Sequence, residues 1–254
     1  MDSRQTKPEG FELLFEDGPC LVVSKPAGLL TQAPPGIDSL EVRVQSYLQR
    51  RDDRPGWGYL GVPHRIDRPA SGALVLASSR RAARRLSEQF EMRLVEKTYW
   101  ALVSGHVEPA TGTWEDFVRK IPGQAAAEVV AAGHPEGRVA VLHYRVLKRQ
   151  PDTAAAASVP PTPREATAAG WSLLEISLET GRTHQIRLQC GSRGHPILGD
   201  EQYGSREPFG PARDDPRDRA IALHARRLAF RHPRGREPVE VVAPLPTYWP
   251  DGLA

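Results

Sequence analysis

The sequence predicts an α+β fold with a mixed, mostly antiparallel central sheet and flanking helices. Short segments of strand type follow one another along the chain, and most are not followed by a helical segment, which disfavours a doubly wound parallel sheet. The chain has 254 residues, 39% of them hydrophobic, which is enough to bury the core of one large domain or of two small ones. No internal repeat divides it.

The N-terminal part predicts two strands and a helix. The segment FELLFEDGPCLVVSKP places two apolar runs around the turn residues Asp17, Gly18 and Pro19, as in a pair of short strands. A helix is expected from Ser39 to about Arg51, although its apolar residues depart from a clean 3.6-residue repeat. These apolar residues are Leu40, Val42, Val44 and Leu48.

A buried strand and a second helix are predicted next. The run GALVLA, from Gly72 to Ala77, is short, continuous and apolar, and the segment SRRAARRLSEQFEMR after it carries apolar residues at helical spacing. Five later segments have the pattern of strands: EKTYWALVSG, the stretch Val139 to Leu147, WSLLEISLE, ALHARRLAF and PVEVVAPL.

The stretch 151–170 (PDTAAAASVPPTPREATAAG) interrupts this pattern. It contains seven alanines, four prolines and three threonines without apolar periodicity. Such a composition buries little apolar surface and favours neither a helix nor a strand. A mobile surface loop between two strands is therefore expected at 151–170.

The composition indicates the cellular compartment in which the protein is expected. The first 18 residues carry scattered charges where a signal peptide would be apolar, and no segment reaches the ~20 apolar residues that cross a bilayer. We therefore expect neither export nor membrane insertion. The chain's two cysteines, Cys20 and Cys190, are too few and too distant for a disulfide framework or a Cys-based zinc site, which favours the reducing cytoplasm.

Positive charge is concentrated in two segments. The whole chain has 34 Lys+Arg against 31 Asp+Glu, a net charge of only +3. Between Arg219 and Arg236, six arginines and two histidines occur without an acid, and between His64 and Arg93 seven arginines face three acids. These segments are candidates for contact with a phosphate backbone. A solvated face without a ligand is the alternative, and charge alone does not decide between the two.

The segment GVPHRIDRPASGALVLA (61–77) groups polar side chains in a loop before the predicted buried strand. His64, Arg65, Asp67 and Arg68 lie within five positions of one another. The two flanking arginines favour the ionised form of Asp67, which suits a nucleophile or a base better than a proton donor. Spacing alone leaves a surface ion-pair network equally open.

This segment resembles the signature of the RluA family of RNA pseudouridine synthases, in which His-Arg-Leu-Asp is followed by two variable residues, a position where threonine is frequent, and Ser-Gly. Here Ile66 stands in place of the usual leucine and Ala70 in place of a frequent threonine, and neither change removes a reactive group. Further matches extend over most of the chain in the family's order: VVSKPAGLLTQ, EKTYWALVSG, GRTHQIRLQ, GHPILGDEQYG and LHARRLAFRHP.

The resemblance implies a catalytic site. Asp67 would be the essential aspartate, Tyr99 the aromatic residue that stacks on the target base, and Arg187 the arginine that pairs with Asp67. Arg65 matches the arginine that family members insert into the RNA stack where the target base has swung out. A planar guanidinium suits that place because it stacks on bases while keeping its charge near phosphates. Without the resemblance, Tyr99 would be expected to be a core aromatic and Arg187 a surface arginine.

The segment GRTHQIRLQCGSRG predicts how Arg187 is presented. Thr183 is placed to cap a helix after the turn at Gly181 and Arg182, and His184 and Arg187 would then share one face as an i,i+3 pair. We assign His184 a packing or capping role and no part in catalysis. The residues expected to contact RNA are Arg65, His64, Arg68, Lys97, Arg226 and Arg231.

The family's reaction detaches the uracil from its ribose, turns it and rejoins it through carbon 5. No cofactor is expected, because the isomerisation needs neither a redox change nor an energy source. Dispersed histidines and the lack of His-Glu-x-x-His, GxGxxG and Walker A patterns predict no metal, nicotinamide or ATP site. Whether Asp67 attacks the sugar, attacks the ring or acts first as a base stays open.

The expected partner is structured RNA, either ribosomal or transfer RNA. The family motifs begin at about Phe11, so a single catalytic domain spanning 1–254 is expected, acting as a monomer without the separate N-terminal RNA-binding domain of many relatives. The alternative is a catalytically inactive RNA-binding or ribosome-assembly protein on the same fold. The joint presence of Asp67, Tyr99 and Arg187 favours the enzyme.

Overall fold

A computed structural model describes residues 8–53, 56, 58–150 and 170–253 of the chain. The chain divides into two compact units. The first unit consists of Met1–Lys97, Arg213–Arg219 and Ala225–Ala254, and the second of Thr98–Ala212 and Ala220–His224. The single domain expected from the sequence stays a prediction. The loop expected at 151–170 lies outside the described residues except for Gly170.

Ten strands and three α-helices occur in the described part of the chain, which confirms the predicted α+β class. The helices are α1 (Leu40–Asp52), α2 (Arg80–Glu91) and α3 (Gln185–Ser192). The strands are β1 (Glu12–Asp17), β2 (Cys20–Lys25), β3 (Ser71–Ala77), β4 (Glu96–Ser104), β5 (Thr111–Lys120), β6 (Ala127–Val130), β7 (Arg138–Gln150), β8 (Trp171–Leu178), β9 (Leu223–Arg231) and β10 (Pro238–Val242).

The first unit contains β1, β2, β3 and β9 in that order across the sheet, and β10 pairs with β9. The predicted N-terminal strand pair is confirmed: β1 and β2 are antiparallel and join where Asp17 lies opposite Cys20. All seven residues of β3 are buried. One face of β3 packs with α2, where Val75 and Leu86 belong to the same apolar cluster, and residues of the other face, such as Leu74, are fully buried as well. Burial on both faces explains the unbroken apolar run.

Two serines begin the helices of the first unit. The Ser39 hydroxyl accepts a hydrogen bond from the amide of Val42 at 3.3 Å, and the Ser79 hydroxyl accepts one from Ala82 at the same distance. Each hydroxyl satisfies an amide that the first turn leaves without a helical partner. The start of α1 predicted at Ser39 is therefore confirmed.

The second unit is an antiparallel sheet in the order β4-β8-β7-β5-β6. Helix α3 packs on it through Leu188, which shares a buried cluster with Val118, Ala127 and Ala140 of three adjacent strands. The sequence analysis did not predict β5 and β6. Only Trp114 and Val118 of β5 are buried, so its apolar pattern is too sparse to mark a strand.

None of the described helices is long and apolar enough to span a bilayer.

Candidate active site

The backbone just before Asp67 is fixed by a buried threonine. The Thr31 hydroxyl donates a hydrogen bond to the carbonyl of Ile66 at 2.8 Å and accepts one from the Ile66 amide at 3.2 Å. The carbonyl of Asp67 itself accepts from the amide of Ala70 at 3.1 Å and closes a turn into β3. Because Thr31 holds both polar groups of Ile66, the peptide unit that precedes Asp67 has a defined position.

The backbone just after Asp67 is fixed by the N-terminal segment. The carbonyl of Arg68 accepts hydrogen bonds from the Gly28 amide at 2.8 Å and from Lys25 Nζ at 3.2 Å. The Arg68 guanidinium donates to the Gly28 carbonyl at 2.8 Å and to Asp218 Oδ1 at 2.6 Å. Gly28 has φ +83°, and a Cβ there would lie 2.7 Å from the Asp218 carbonyl oxygen, so only glycine fits this approach.

Lys25 is fully buried beside this loop. Its ammonium donates to the carbonyls of Pro26 at 2.8 Å, Leu29 at 2.7 Å and Arg68 at 3.2 Å. Burial lowers the pKa of Lys25 to about 7, an effect that the negative charge of Asp67 opposes and the positive charge of Arg68 adds to. Lys25 therefore lies within electrostatic reach of Asp67 and ties the loop to the end of β2.

Arg65 contrasts with its neighbours in the loop. Its side chain is exposed, whereas that of Ile66 is buried. Across the described residues, no hydrogen bond or ion pair engages the Arg65 guanidinium. The loop thus presents a solvent-facing cation two residues before Asp67.

His64 and Lys97 meet at the ring of Phe90. His64 Nε2 accepts a hydrogen bond from the Val75 amide at 3.0 Å, and its ring stacks on Phe90 with centroids 4.4 Å apart. Lys97 Nζ lies 5.9 Å from the centroid of the Phe90 ring. Burial lowers the pKa of His64 to about 3, with a smaller contribution from the charge of Lys97, so the ring is neutral near pH 7. These contacts fix the start of the loop to β3 and α2. The predicted contact of His64 with RNA stays a prediction.

The two arginines proposed from the C-terminal segment lie in different environments on β9. Arg226 is half-buried and donates a hydrogen bond to the carbonyl of Ala243, and burial lowers its pKa. Arg231 is exposed and donates to the carbonyl of Arg236 at 3.3 Å. Arg231 is therefore the more accessible cation of the two.

In the second unit, Tyr99 lies in β4 opposite Ile176 of β8. Ile176 is fully buried, whereas Tyr99 is half-buried, so part of its side chain remains accessible. The accessible part of an aromatic ring can stack on a planar ligand.

Arg187 projects from α3 into a buried ion pair. Its Nε donates to Asp200 Oδ2 at 2.7 Å, and one terminal nitrogen donates to Asp200 Oδ1 at 2.8 Å and to Gln202 Oε1 at 2.9 Å. This contact is bidentate, because the planar guanidinium of arginine can donate two parallel hydrogen bonds to one carboxylate. The predicted pairing of Arg187 with Asp67 stays a prediction.

Tyr203 contacts both Arg187 and His184. Its ring lies 5.0 Å from the Arg187 guanidinium, and its hydroxyl is 2.9 Å from His184 Nδ1. The same hydroxyl accepts a hydrogen bond from the Ala127 amide at 3.0 Å. His184 and Arg187 therefore share one face, as their spacing predicts.

The predicted cap of α3 at Thr183 is wrong. The helix begins at Gln185, after His184 in a left-handed conformation with φ 52°, and no side chain of the capping residue bonds to the first turn. Gln185 instead holds the turn that precedes the helix, because its Oε1 accepts from the Arg182 amide at 3.0 Å and from the Thr180 hydroxyl at 2.9 Å. Neither contact caps an amide of the first helical turn.

The sequence analysis assigned no role to several residues that build these sites, although the motifs VVSKPAGLLTQ and GHPILGDEQYG contain most of them. They are Lys25, Gly28, Thr31, Asp200, Tyr203 and Asp218. For Lys25, Thr31 and Asp200 the signal was a polar residue within or beside an apolar run, which only a three-dimensional partner explains.

Within the described ranges, one group of side chains has the composition of a metal site: Asp17, His232 and Glu237. His232 Nδ1 lies 3.0 Å from Glu237 Oε1 and also accepts from the Gly235 amide at 3.2 Å. His232 Nε2 is 3.2 Å from the Asp17 carbonyl oxygen. Both ring nitrogens are thus within hydrogen-bonding distance of protein groups, and they hold the turn between β9 and β10.

Comparisons with known proteins agree with the motifs. Residues 19–192 match the family model described as RNA pseudouridylate synthase. An uncharacterized RNA pseudouridine synthase of Synechocystis sp. is 32% identical over 241 residues, which cover 94% of this chain and 66% of that protein, just under two thirds of its length. The dual-specificity RNA pseudouridine synthase RluA of Vibrio vulnificus is 31% identical, with 88% of this chain and 78% of that protein covered.

The ribosomal large subunit pseudouridine synthase C of Buchnera aphidicola is also 31% identical, with 95% of this chain and 69% of that protein covered. The solved structure of human RNA pseudouridylate synthase domain containing 1 has a TM-score of 0.70 at 24% identity and covers 94% of this chain and 85% of its own, which shows the same fold. The matched family model and the sequence identity to relatives in three bacteria show family membership in addition to the fold. This chain belongs to the RluA family of RNA pseudouridine synthases.

Proposed function

We propose that this protein isomerises specific uridines to pseudouridine in structured RNA, with Asp67 as the catalytic carboxylate. The observation that carries the proposal is the fixation of the backbone on both sides of Asp67, by Thr31 at Ile66 and by Lys25 and Gly28 at Arg68. A group that attacks a substrate or removes its proton must be held in place before the substrate arrives.

The reaction breaks the bond between N1 of uracil and C1′ of ribose and forms a bond between C5 and C1′. C5 loses a proton and N1 gains one, so the product has the composition of the substrate. An ionised Asp67 can serve as nucleophile or as base in this sequence. Neither an oxidant nor an energy source is needed, so we propose that the protein acts without a cofactor.

Three further residues complete the proposed site. Tyr99, which is half-buried, stacks on the target base, and Arg187, which Asp200 holds in place, supports the charge of the catalytic carboxylate. Arg65 fills the space that the flipped base leaves in the RNA, and its exposed and unpaired guanidinium within the described chain supports this role. We propose that Arg68 and His64 also hold the loop, through Asp218 and Val75, in addition to their expected contact with RNA.

Ribosomal or transfer RNA is the proposed substrate. The name of the Buchnera relative refers to the ribosomal large subunit, and that of the Vibrio relative to dual specificity. Exposed cations such as Arg65 and Arg231 support binding to a phosphate backbone. We propose that the protein acts in the cytoplasm, where unassembled RNA of both classes is present.

The proposal is tested by incubating the purified protein with prefolded ribosomal and transfer RNA in the presence of a metal chelator and without nucleotides. We expect pseudouridine to form at defined positions, which sequencing of the modified RNA detects. A strict requirement for zinc, ATP or NAD would contradict the cofactor-free reaction. Tight RNA binding without any pseudouridine would favour the inactive RNA-binding protein.

A further inference from the structure

A concave basic surface lies in the second unit, near the start of α3. It is a pocket of about 290 Å³, and six of its eight lining residues are polar or charged. Four of its lining residues are cations and one is an acid. The polar residues of the wall are Arg119, Lys120, Glu136, Arg138, Arg182 and Thr183.

Strand register places two of these cations on one face of the sheet. Arg138 of β7 lies directly opposite Val118 of β5, and Lys120 lies two residues beyond Val118. Residues opposite each other, and residues two apart in one strand, project from the same face. Val118 packs with Leu188 of α3, so Lys120 and Arg138 project on the side of the sheet that carries α3.

The cations of the pocket differ in how far the protein neutralises them. Arg119 forms ion pairs with Glu128 at 2.6 Å and Glu136 at 3.0 Å, so this group of three side chains carries a formal charge of −1. Lys120 and Arg138 are exposed, and among the residues described neither side chain has a hydrogen-bond or ion-pair partner. Lys120 and Arg138 thus contribute two positive charges that no direct ion pair neutralises.

Arg182 adds a third cation and connects the pocket to α3. Its Nε donates to the Val139 carbonyl at 2.9 Å, while its terminal nitrogens meet no acceptor in the ranges that the structure describes. Arg182 and Thr183 lead directly through His184 into α3, the helix that carries Arg187. An anion held in the pocket would therefore lie beside the segment that presents a proposed active-site residue.

We propose that this pocket binds phosphate groups of the substrate RNA through Lys120, Arg138 and Arg182, as an RNA contact separate from the Asp67 loop. This inference rests on the proposed function. The three cations are exposed and are not buried around one point, so a small anion would be held weakly. A polyanion gains from each contact by releasing condensed counterions, and it suits a row of separate surface cations.

The test compares two lysines of the second unit. Lys120→Glu reverses a charge in the pocket, and Lys148→Glu reverses one on the exposed face of β7, ten residues along the strand from Arg138 and roughly 30 Å away at the spacing of a strand. Both variants change the net charge equally. Binding isotherms of prefolded ribosomal RNA are measured at several salt concentrations, with thermal unfolding as a check on the fold.

We expect Lys120→Glu to weaken RNA binding roughly 3- to 10-fold at ~0.1 M salt and to reduce the slope of log K against log salt by about 0.7 to 0.9, the value for one lost phosphate contact. Lys148→Glu should leave both quantities near those of the parent. The double variant Lys120→Gln/Arg138→Gln, which reverses no charge, should weaken binding further than Lys120→Gln alone.

Equal effects of Lys120→Glu and Lys148→Glu, or a parental salt slope in the double glutamine variant, would overturn the proposal. If Lys120→Glu lowers thermal stability, the comparison is made with Lys120→Gln. The readout is binding and needs no turnover, so the two proposals fail separately. A parent protein that binds RNA through this pocket but forms no pseudouridine would refute the proposed function alone.

Discussion

Arg187 and Asp200 form a buried two-pronged ion pair in which both carboxylate oxygens accept hydrogen bonds, at 2.7 Å and 2.8 Å, from one guanidinium. Their side chains are only 5% and 1% exposed. The pair leaves the guanidinium little freedom to rotate, because Tyr203 covers it and Gln202 binds the same nitrogen. Asp200 thereby positions the arginine that we place in the active site.

Replacement of Asp200 should show how much the buried ion pair contributes to stability. Asp200→Ala leaves a buried cation without its partner, so we expect the free energy of unfolding to fall by about 3–5 kcal/mol. The matched control is Gln202→Ala, which removes one hydrogen bond from the same guanidinium and should cost about 1 kcal/mol. Urea denaturation of both variants measures the difference. Equal losses in the two variants would contradict a special role of Asp200.

Local features of the fold were predictable from the sequence, because their causes lie within a few residues. The start of α1 follows from the hydroxyl of Ser39, and the first strand pair follows from the turn between Asp17 and Cys20. The cap of α3 was mispredicted because Thr183 offers the expected hydroxyl, whereas the helix begins one residue later, after His184 in a left-handed conformation.

The residues that hold the Asp67 loop in place were not predictable, because their hydrogen-bond partners are distant in the sequence. Lys25 meets the carbonyl of Arg68 43 residues later, and Arg68 meets Asp218 150 residues later. No rule of periodicity or spacing in the sequence predicts such contacts. The resemblance to a family predicts that Asp67 is catalytic, and only the fold explains which groups hold its loop.

Lys25 should give stability a measurable pH dependence. Its pKa is about 7 in the folded protein and 10.5 as the ordinary value. Between these pH values the unfolded chain holds a proton that the folded protein has released, so the contribution of Lys25 to the free energy of unfolding rises with pH and is lowest below pH 7. In Lys25→Met this titration is absent. The difference in unfolding free energy between parent and variant should therefore grow, in favour of the parent, from pH 7 towards pH 10.

Comparison at each pH cancels the titration of other groups. Burial, for example, raises the pKa of Cys20 to about 12, and this effect is present in both proteins. Lys25→Met should also be less stable than the parent across the range, because the carbonyls that Lys25 contacts lose their hydrogen-bond donor. A difference that does not change with pH would show that Lys25 stays charged in the folded protein.

The two arginines on β9 should separate RNA binding from stability. Arg231→Glu reverses an exposed charge, so we expect weaker RNA binding with a flatter salt dependence and little change in unfolding. Arg226→Gln removes the donor to the Ala243 carbonyl and should lower the free energy of unfolding by about 1–2 kcal/mol. An unchanged salt slope in Arg231→Glu would indicate a solvated face without RNA contact.

The central claim is that Asp67 performs the chemistry, and Asp67→Asn tests it most directly. The substitution keeps the size of the side chain and removes its charge, so RNA binding should stay near that of the parent while pseudouridine formation is lost. The measurement is a single-turnover assay beside a binding isotherm on the same RNA, with protein shown to be free of parent enzyme and of deamidated asparagine. Near-parental affinity with no detectable pseudouridine is the predicted result, and appreciable turnover by Asp67→Asn would contradict the account.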